Sequence, residues 1–282
     1  MRILISAVNF NEGDRMASQR PRALAEVLAH RGHSVTVLTM ATPPEATAPY
    51  PPGVEVIETV PYDDKVFAPV TEIPLHRRLL AALSVLSSTP EVIVLKSAGL
   101  AKLFGLKPEE SKQRLDELNA RRYRTASGTK SISEAYRWYR QSAPIAKAAL
   151  KGREPYDVVF ATYSTHGSVW LGRFLHSKGF ARKLIVDLRD LMNQPGSLLP
   201  LRLFRGLQER QALDCADAVT VVSKGLRTNL METPSARKHK QKVSVLYNGF
   251  LPRSTDPSTE AVPSKGPLKI AYTGSLYQGR RD

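Results

Sequence analysis

The stretch from Tyr156 to Asp190 admits few folds. Val158-Val159-Phe160-Ala161 is an apolar run without alternation, the pattern of a strand buried on both faces. Tyr163-Ser164-Thr165-His166-Gly167 interrupts it with small polar groups. A helix follows, with Trp170 and Phe174 four apart, Leu171 and Leu175 likewise, and Gly179 as its stop. Leu184-Ile185-Val186 is a second strand, with Asp187-Leu188-Arg189-Asp190 at its carboxyl end. A strand–helix–strand unit of this length implies parallel strands joined by a right-handed crossover. The fold class is therefore α/β, a Rossmann-like parallel sheet with helices on both faces. In such open sheets ligands bind beyond the carboxyl ends of the strands, so the polar clusters 163–167 and 187–190 are the first places to look for function.

The opening repeats the unit. Ile3 to Val8 is a strand, 9–19 a polar loop containing Gly13, and Pro21 suits the first turn of a helix carrying Ala23, Leu24, Val27 and Leu28. Val35, Val37 and Leu38 begin the next strand. The glycine fingerprint of dinucleotide sites is absent, which argues against such a cofactor. Pro43, Pro44, Pro49, Pro51 and Pro52 make 41–53 an extended loop before a strand over Val54 to Val60. Residues 75–150 read as mostly helical, with Val92 to Leu95 compatible with helix or strand. Over 133–151, Ala135, Tyr139, Ala143, Ala146 and Leu150 share a face, and Pro144 is expected to kink or restart the helix. Leu199, Leu203, Phe204 and Leu207 mark a helix through Glu209. Ala218 to Val222 is a strand, Ser223 caps a short helix, and Val243 to Leu246 is the next strand. Residues 252–267 hold four prolines amid Ser and Thr, a linker composition. Leu268 to Tyr272 opens a fresh strand. The expected organisation is 1–250 as a Rossmann-like domain, 251–267 as linker, and 268–282 as the start of an incomplete second domain.

Charge narrows the partners. The formal net charge is +15, and 121–153 carries nine cations against the single anion Glu134. An excess of this size draws polyanions or anionic lipid without specifying a fold. With Tyr136, Trp138 and Tyr139 interleaved, the segment reads as a face for an anionic membrane or as a solvated helical face. Nucleic acid is disfavoured, because no recognised motif accompanies the charge. The lone Cys215 excludes an internal disulfide, and no apolar run is long enough to span a bilayer, so a cytoplasmic location is expected, with peripheral placement on the inner face of the plasma membrane. There is no nucleophile elbow, P-loop, Cys/His metal spacing or D-x-D, and no metal ligands are read.

Several short motifs then fall in a telling order: Ser18-Gln19-Arg20; Ser164-Thr165-His166; Asp187-Leu188-Arg189-Asp190; Glu209, Ala216-Asp217 and Val222-Ser223; Asn248-Gly249-Phe250; and Tyr272-Thr273-Gly274-Ser275 running to Gly279-Arg280-Arg281-Asp282. Together they resemble the N-terminal half of a family-4 glycosyltransferase of the GT-B fold, in the subgroup common in bacterial surface-polysaccharide synthesis. The resemblance spans nearly the whole chain except 60–150. It implies transfer of a sugar from a nucleotide-sugar donor to a glycan or polyprenyl-phosphate-linked acceptor, with retention of configuration and no cofactor. It places the paired glutamates that grip the donor beyond Asp282. The alternative expectation is a truncated or split, non-catalytic lobe that binds acceptor or membrane and needs a separate donor domain.

Transfer from a nucleotide sugar has an oxocarbenium-like transition state and a diphosphate leaving group. Arginines and backbone amides suit the phosphates. On the resemblance, Gly13, Arg20, Ser164, Arg189 and Asp190 belong to the acceptor or cleft side, His166 is the candidate catalytic residue, and Gly274 and Arg280 face the donor diphosphate. Each has a plainer reading: Arg20 as a surface cation, Gly13 as a turn, His166 as a helix cap or solvated group, and Arg189 with Asp190 as an internal ion pair. Glu209 reads as a brace through a buried hydrogen bond.

Overall fold

The computed structural model describes residues 1–11, 16–42, 49–61, 88–193 and 196–248. Met1–Phe250 forms one compact unit; Leu251–Asp282 is a second, which lies outside the described residues along with the linker and terminal strand read at 252–272. In chain order the elements are β1 (Arg2–Ser6), α1 (Met16–His30), β2 (Ser34–Ala41), β3 (Val54–Pro61), α2 (88–96), α3 (Ala98–Leu103), α4 (Pro108–Leu150), β4 (Tyr156–Tyr163), α5 (His166–Ser177), β5 (Ala181–Leu188), α6 (Leu199–Cys215), β6 (Ala218–Val221), α7 (Lys224–Met231), α8 (Pro234–Arg237) and β7 (Val243–Val245). Val92–Leu95, open between helix and strand on sequence grounds, is helical.

The seven strands form one parallel sheet in the order β3-β2-β1-β4-β5-β6-β7. Its first six positions follow the doubly wound Rossmann order, with the reversal of direction between β1 and β4. The strand side chains feed two cores. Leu4, Leu38, Val159, Ala161, Leu184, Val186 and Val219 point to the layer holding α4, α5 and α6. Ile3, Ile5, Val35, Val37, Val158 and Phe160 point to the layer holding Leu24 and Leu28 of α1. This two-sided burial explains the unbroken apolar runs in β1 and β4.

The helix of the Tyr156–Asp190 unit forms for the expected reasons. Leu171 and Leu175 are fully buried, each worth about 1.5–3 kcal/mol. Gly179 adopts φ 78°, and the amides of Gly179 and Phe180 close back on His176 and Leu175, which ends α5. Gly172 sits so close to β4 that an added Cβ would lie 2.6 Å from the Ala161 methyl.

Two prolines depart from expectation. Pro144 does not restart its helix: α4 runs unbroken from Pro108 to Leu150. Ala135, Trp138, Ser142, Ala143, Ala146 and Leu150 are buried on both sides of it, and that packing outweighs one lost backbone bond. Pro21 lies inside α1 rather than in its first turn. Lacking an N–H, it leaves the carbonyl of Ala17 without its helical donor, and that carbonyl is used by the site described next.

Candidate functional site at the carboxyl edge of the sheet

The register places polar groups side by side at the strand ends. Thr162 of β4 pairs with Asp187 of β5, which pairs with Thr220 of β6. Asp187 is wholly buried and is held by both neighbours: the Thr162 hydroxyl donates to Oδ2 at 3.0 Å and the Thr220 hydroxyl to Oδ1 at 2.6 Å. A buried carboxylate needs a cation, and α1 supplies it. Arg20 donates from Nε to Oδ2 at 2.9 Å and from Nη2 to Oδ1 at 2.7 Å, a two-pronged guanidinium–carboxylate pair.

Arg20 has three further N–H groups. Nη2 donates to the Leu246 carbonyl at 2.9 Å; Nη1 donates to the Tyr247 carbonyl at 3.1 Å and the Asn248 side-chain oxygen at 3.0 Å. All five donors of the guanidinium are thus committed to protein oxygens. Arg20 is not a surface cation here; its side chain is only 8% exposed. It ties α1, β5 and the segment after β7 into one strut. It joins residues of three sequence motifs: Arg20, Asp187 and Asn248.

Arg189 follows the same logic. Its Nη1 donates at 2.7 Å to the Ala17 carbonyl, the one that Pro21 leaves without an intrahelical partner. Burial pushes the Arg189 pKa down, with Asp187 and Asp190 opposing and Arg20 adding to the shift. Asp190 is exposed at the mouth of the 189–193 loop, and Ser164 is half-buried on the neighbouring strand's loop. Because Tyr163 pairs with Leu188, these two loops leave the sheet side by side. Arg20, Ser164, Arg189 and Asp190 are therefore gathered on one edge. Gly13, Gly274 and Arg280 lie outside the described residues.

His166 is neither solvated nor the helix cap. Thr165 occupies the cap position, and His166 is the first residue of α5, 4% exposed. Its ring packs between Tyr163, 5.3 Å away and edge-on, and Trp170, 5.5 Å away. Tyr163 is itself buried enough to push its phenol pKa well above the ordinary value. Behind this cluster Glu209 is 2% exposed and accepts the Asn193 amide at 3.2 Å, bracing the loop after β5. Burial pushes its carboxyl pKa up, and the amides of Asn193 and Met192 partly offset the rise. Arg205, at the same edge, is lowered by burial and bonds the Ser197 hydroxyl at 3.2 Å.

Asp187, Thr162, Thr220 and Asn248 were not singled out from sequence as site residues. The available signal was a charged residue directly after a buried apolar run, in register with a threonine on each side.

In the basic segment 121–153 the face read from Ala135, Ala143, Ala146 and Leu150 is buried. Tyr136, Trp138 and Tyr139 do not interleave with the cations on an outer face, whereas Tyr123 is exposed. Trp138 is buried, and Tyr136 and Tyr139 pack against Trp170, with Tyr139 also against Phe174, over α5. These rings border a groove of about 410 Å³ between α4, α5 and α6. Arg124 donates to the Gly196 carbonyl and Arg153 pairs with Glu55. The reason is geometric: one side of α4 must cover α5, and Tyr136, Trp138 and Tyr139 are on that side. Among the described residues no helix is long and apolar enough to cross a membrane.

Residues 101–249 match the glycosyl transferase 4-like domain family. The chain belongs to that family. The matched span contains β4 to β7, and with them Asp187 of β5 and the loops that carry Ser164, Arg189 and Asp190. Among solved structures, the catalytic domain of starch synthase IV from Arabidopsis thaliana, bound to ADP and acarbose, resembles the chain with a TM-score of 0.47 at 9% sequence identity. The match covers 88% of this chain and 51% of that one, so the chain spans about half of its length. No curated protein matches the sequence.

Proposed function

We propose that this member of the glycosyl transferase 4-like domain family is the acceptor-side lobe of a GT-B glycosyltransferase. It acts in retaining transfer of a sugar from a nucleotide sugar to a glycan or polyprenyl-phosphate-linked acceptor. The observation that carries the reading is the family match over the half of the sheet whose carboxyl edge gathers Ser164, Arg189 and Asp190 around the Arg20–Asp187 strut.

The roles divide by exposure. Asp190 is the exposed carboxylate on the edge and suits hydrogen bonding to an acceptor hydroxyl, with Ser164 beside it. Arg20, Asp187 and Arg189 are positioning residues: they spend their hydrogen bonds on protein groups and hold α1, the 189–193 loop and the 246–248 segment in one arrangement. Such fixed geometry is what lets a site meet a transition state without reorganising. His166 acts from beneath the loop through its packing against Tyr163 and Trp170.

The test is transfer by this chain from a panel of nucleotide sugars to polyprenyl-phosphate-linked and soluble glycan acceptors, with product linkage read by NMR. The expected result is acceptor binding that Asp190→Asn weakens roughly tenfold, as loss of one charge-assisted hydrogen bond would. Absence of both acceptor binding and transfer across the panel would sink the reading.

A further inference from the structure

Helix α6 buries Leu201, Glu209, Ala212 and Leu213 against the core. The leucines that reveal the helix in the sequence are on its other side. Leu199, Leu203 and Leu207 recur every fourth residue and are 61%, 65% and 51% exposed. They form a ridge along the outer pole of the first turns. Three leucines held in water on one helix face are an interaction surface rather than scattered exposure.

The surroundings of the ridge are cationic. From Gly196 to Leu213 the charges are Arg202, Arg205, Arg210 and Glu209, and the glutamate is buried. Arg202 and Arg210 are exposed beside the ridge, Arg210 with Asp214 at 3.5 Å one turn on. The start of α6 is pinned to α4, for the Leu198 amide donates to the Thr125 hydroxyl at 2.8 Å and Arg124 reaches the Gly196 carbonyl at 3.0 Å. Gly128 of α4 faces Leu201 and Arg205, on the side of α6 away from the ridge. The 189–193 loop meets the middle of α6, where the Asn193 amide donates to Glu209.

We infer that the Leu199–Leu203–Leu207 ridge of α6, flanked by Arg202 and Arg210, docks the protein on an anionic lipid bilayer. The leucines enter the boundary between headgroups and acyl chains while the arginines stay at the level of the lipid phosphates. Nucleic acid would satisfy the arginines but offers the leucines no apolar medium.

The test is flotation of the chain with vesicles of phosphatidylcholine alone or mixed with phosphatidylglycerol, with no nucleotide sugar or acceptor present. The chain should float with the anionic vesicles only. The triple variant Leu199→Ser, Leu203→Ser, Leu207→Ser should bind them at least about tenfold more weakly, with an unchanged circular dichroism spectrum. Arg202→Glu with Arg210→Glu should weaken binding independently and remove its salt dependence in part. Failure of the chain to float with anionic vesicles overturns the inference. So does vesicle binding that the serine substitutions leave unchanged, including the case where they only convert a dimer to a monomer. Leucine-independent binding to RNA, without vesicle binding, overturns it too. Vesicle binding and sugar transfer are separate readouts, so the failure of one is distinguishable from the failure of the other.

Discussion

Two arginine–carboxylate pairs in this protein have similar distances and opposite environments. Arg20 and Asp187 meet at 2.7 Å with side chains 8% and 0% exposed. Arg153 and Glu55 meet at 2.8 Å with side chains 35% and 46% exposed. The outer pair faces water, which already solvates both ions, so the contact adds little. The inner pair has replaced its water with two threonine hydroxyls, two carbonyls and an amide oxygen, and it cannot be dismantled by halves. A short ion pair is therefore no measure of importance; what counts is what remains when one member leaves.

The largest effect is expected from breaking the inner pair. Asp187→Ala or Arg20→Ala should each cost about 3–5 kcal/mol in urea unfolding, because each strands a buried charge. A loss under about 1 kcal/mol would mean that water reaches the site. The next effect sharpens the role of Pro21. Arg189→Ala should cost about 1–3 kcal/mol by leaving the Ala17 carbonyl without a donor. Adding Pro21→Ala restores a helical N–H and should recover part of that loss. Additive costs in the double variant would show that the two residues are uncoupled.

Glu209 supplies the third arrangement, a buried carboxyl bonded by backbone amides, and its pKa is raised from 4.5. Since the folded form holds its proton more tightly, the stability it contributes is full below the ordinary carboxyl range and is lost as pH rises through the raised value. Glu209→Gln should flatten that fall in melting temperature between mild acid and neutral pH, while changing stability at the acid end by less than about 1 kcal/mol. A pH profile that the substitution leaves untouched would exclude Glu209 as its source.

The smallest effect belongs to the outer pair. The hydrogen bond from Arg153 holds the Glu55 carboxyl below its usual range despite some desolvation. Its contribution is therefore present above that range and fades as pH falls. Glu55→Gln should cost about 0.2–1 kcal/mol and less in high salt. A cost matching that of Asp187→Ala would erase the distinction drawn between the pairs.

Sequence reasoning reached the fold because strand burial and helix stops are local. The apolar runs at Ile3 and Val158, the stop at Gly179 and the cap at Ser223, whose hydroxyl accepts the Leu226 amide, are all where the residues place them. It found Arg20 and Arg189 as residues of interest but not their work. Arg20 closes on an acid 167 positions away, and Arg189 on a carbonyl freed by a proline 168 positions earlier in the chain. Nothing local encodes such a pairing.

Faces show the same division. Periodicity identified α4 and α6 as helices with apolar stripes. It could not say that Tyr136 and Trp138 of α4 turn inward, or that the leucines of α6 turn outward to water. A repeat of 3.6 residues states which side chains share a side, and only the packing of the neighbouring elements decides what that side meets. The sequence alone determined a parallel α/β sheet with its polar loops on one edge, because backbone preference and hydrophobic alternation act over a few residues. The tertiary structure decided which of those polar groups became a buried strut, which stayed open at the edge, and which leucines were left uncovered, because those outcomes depend on distant segments competing for the same space.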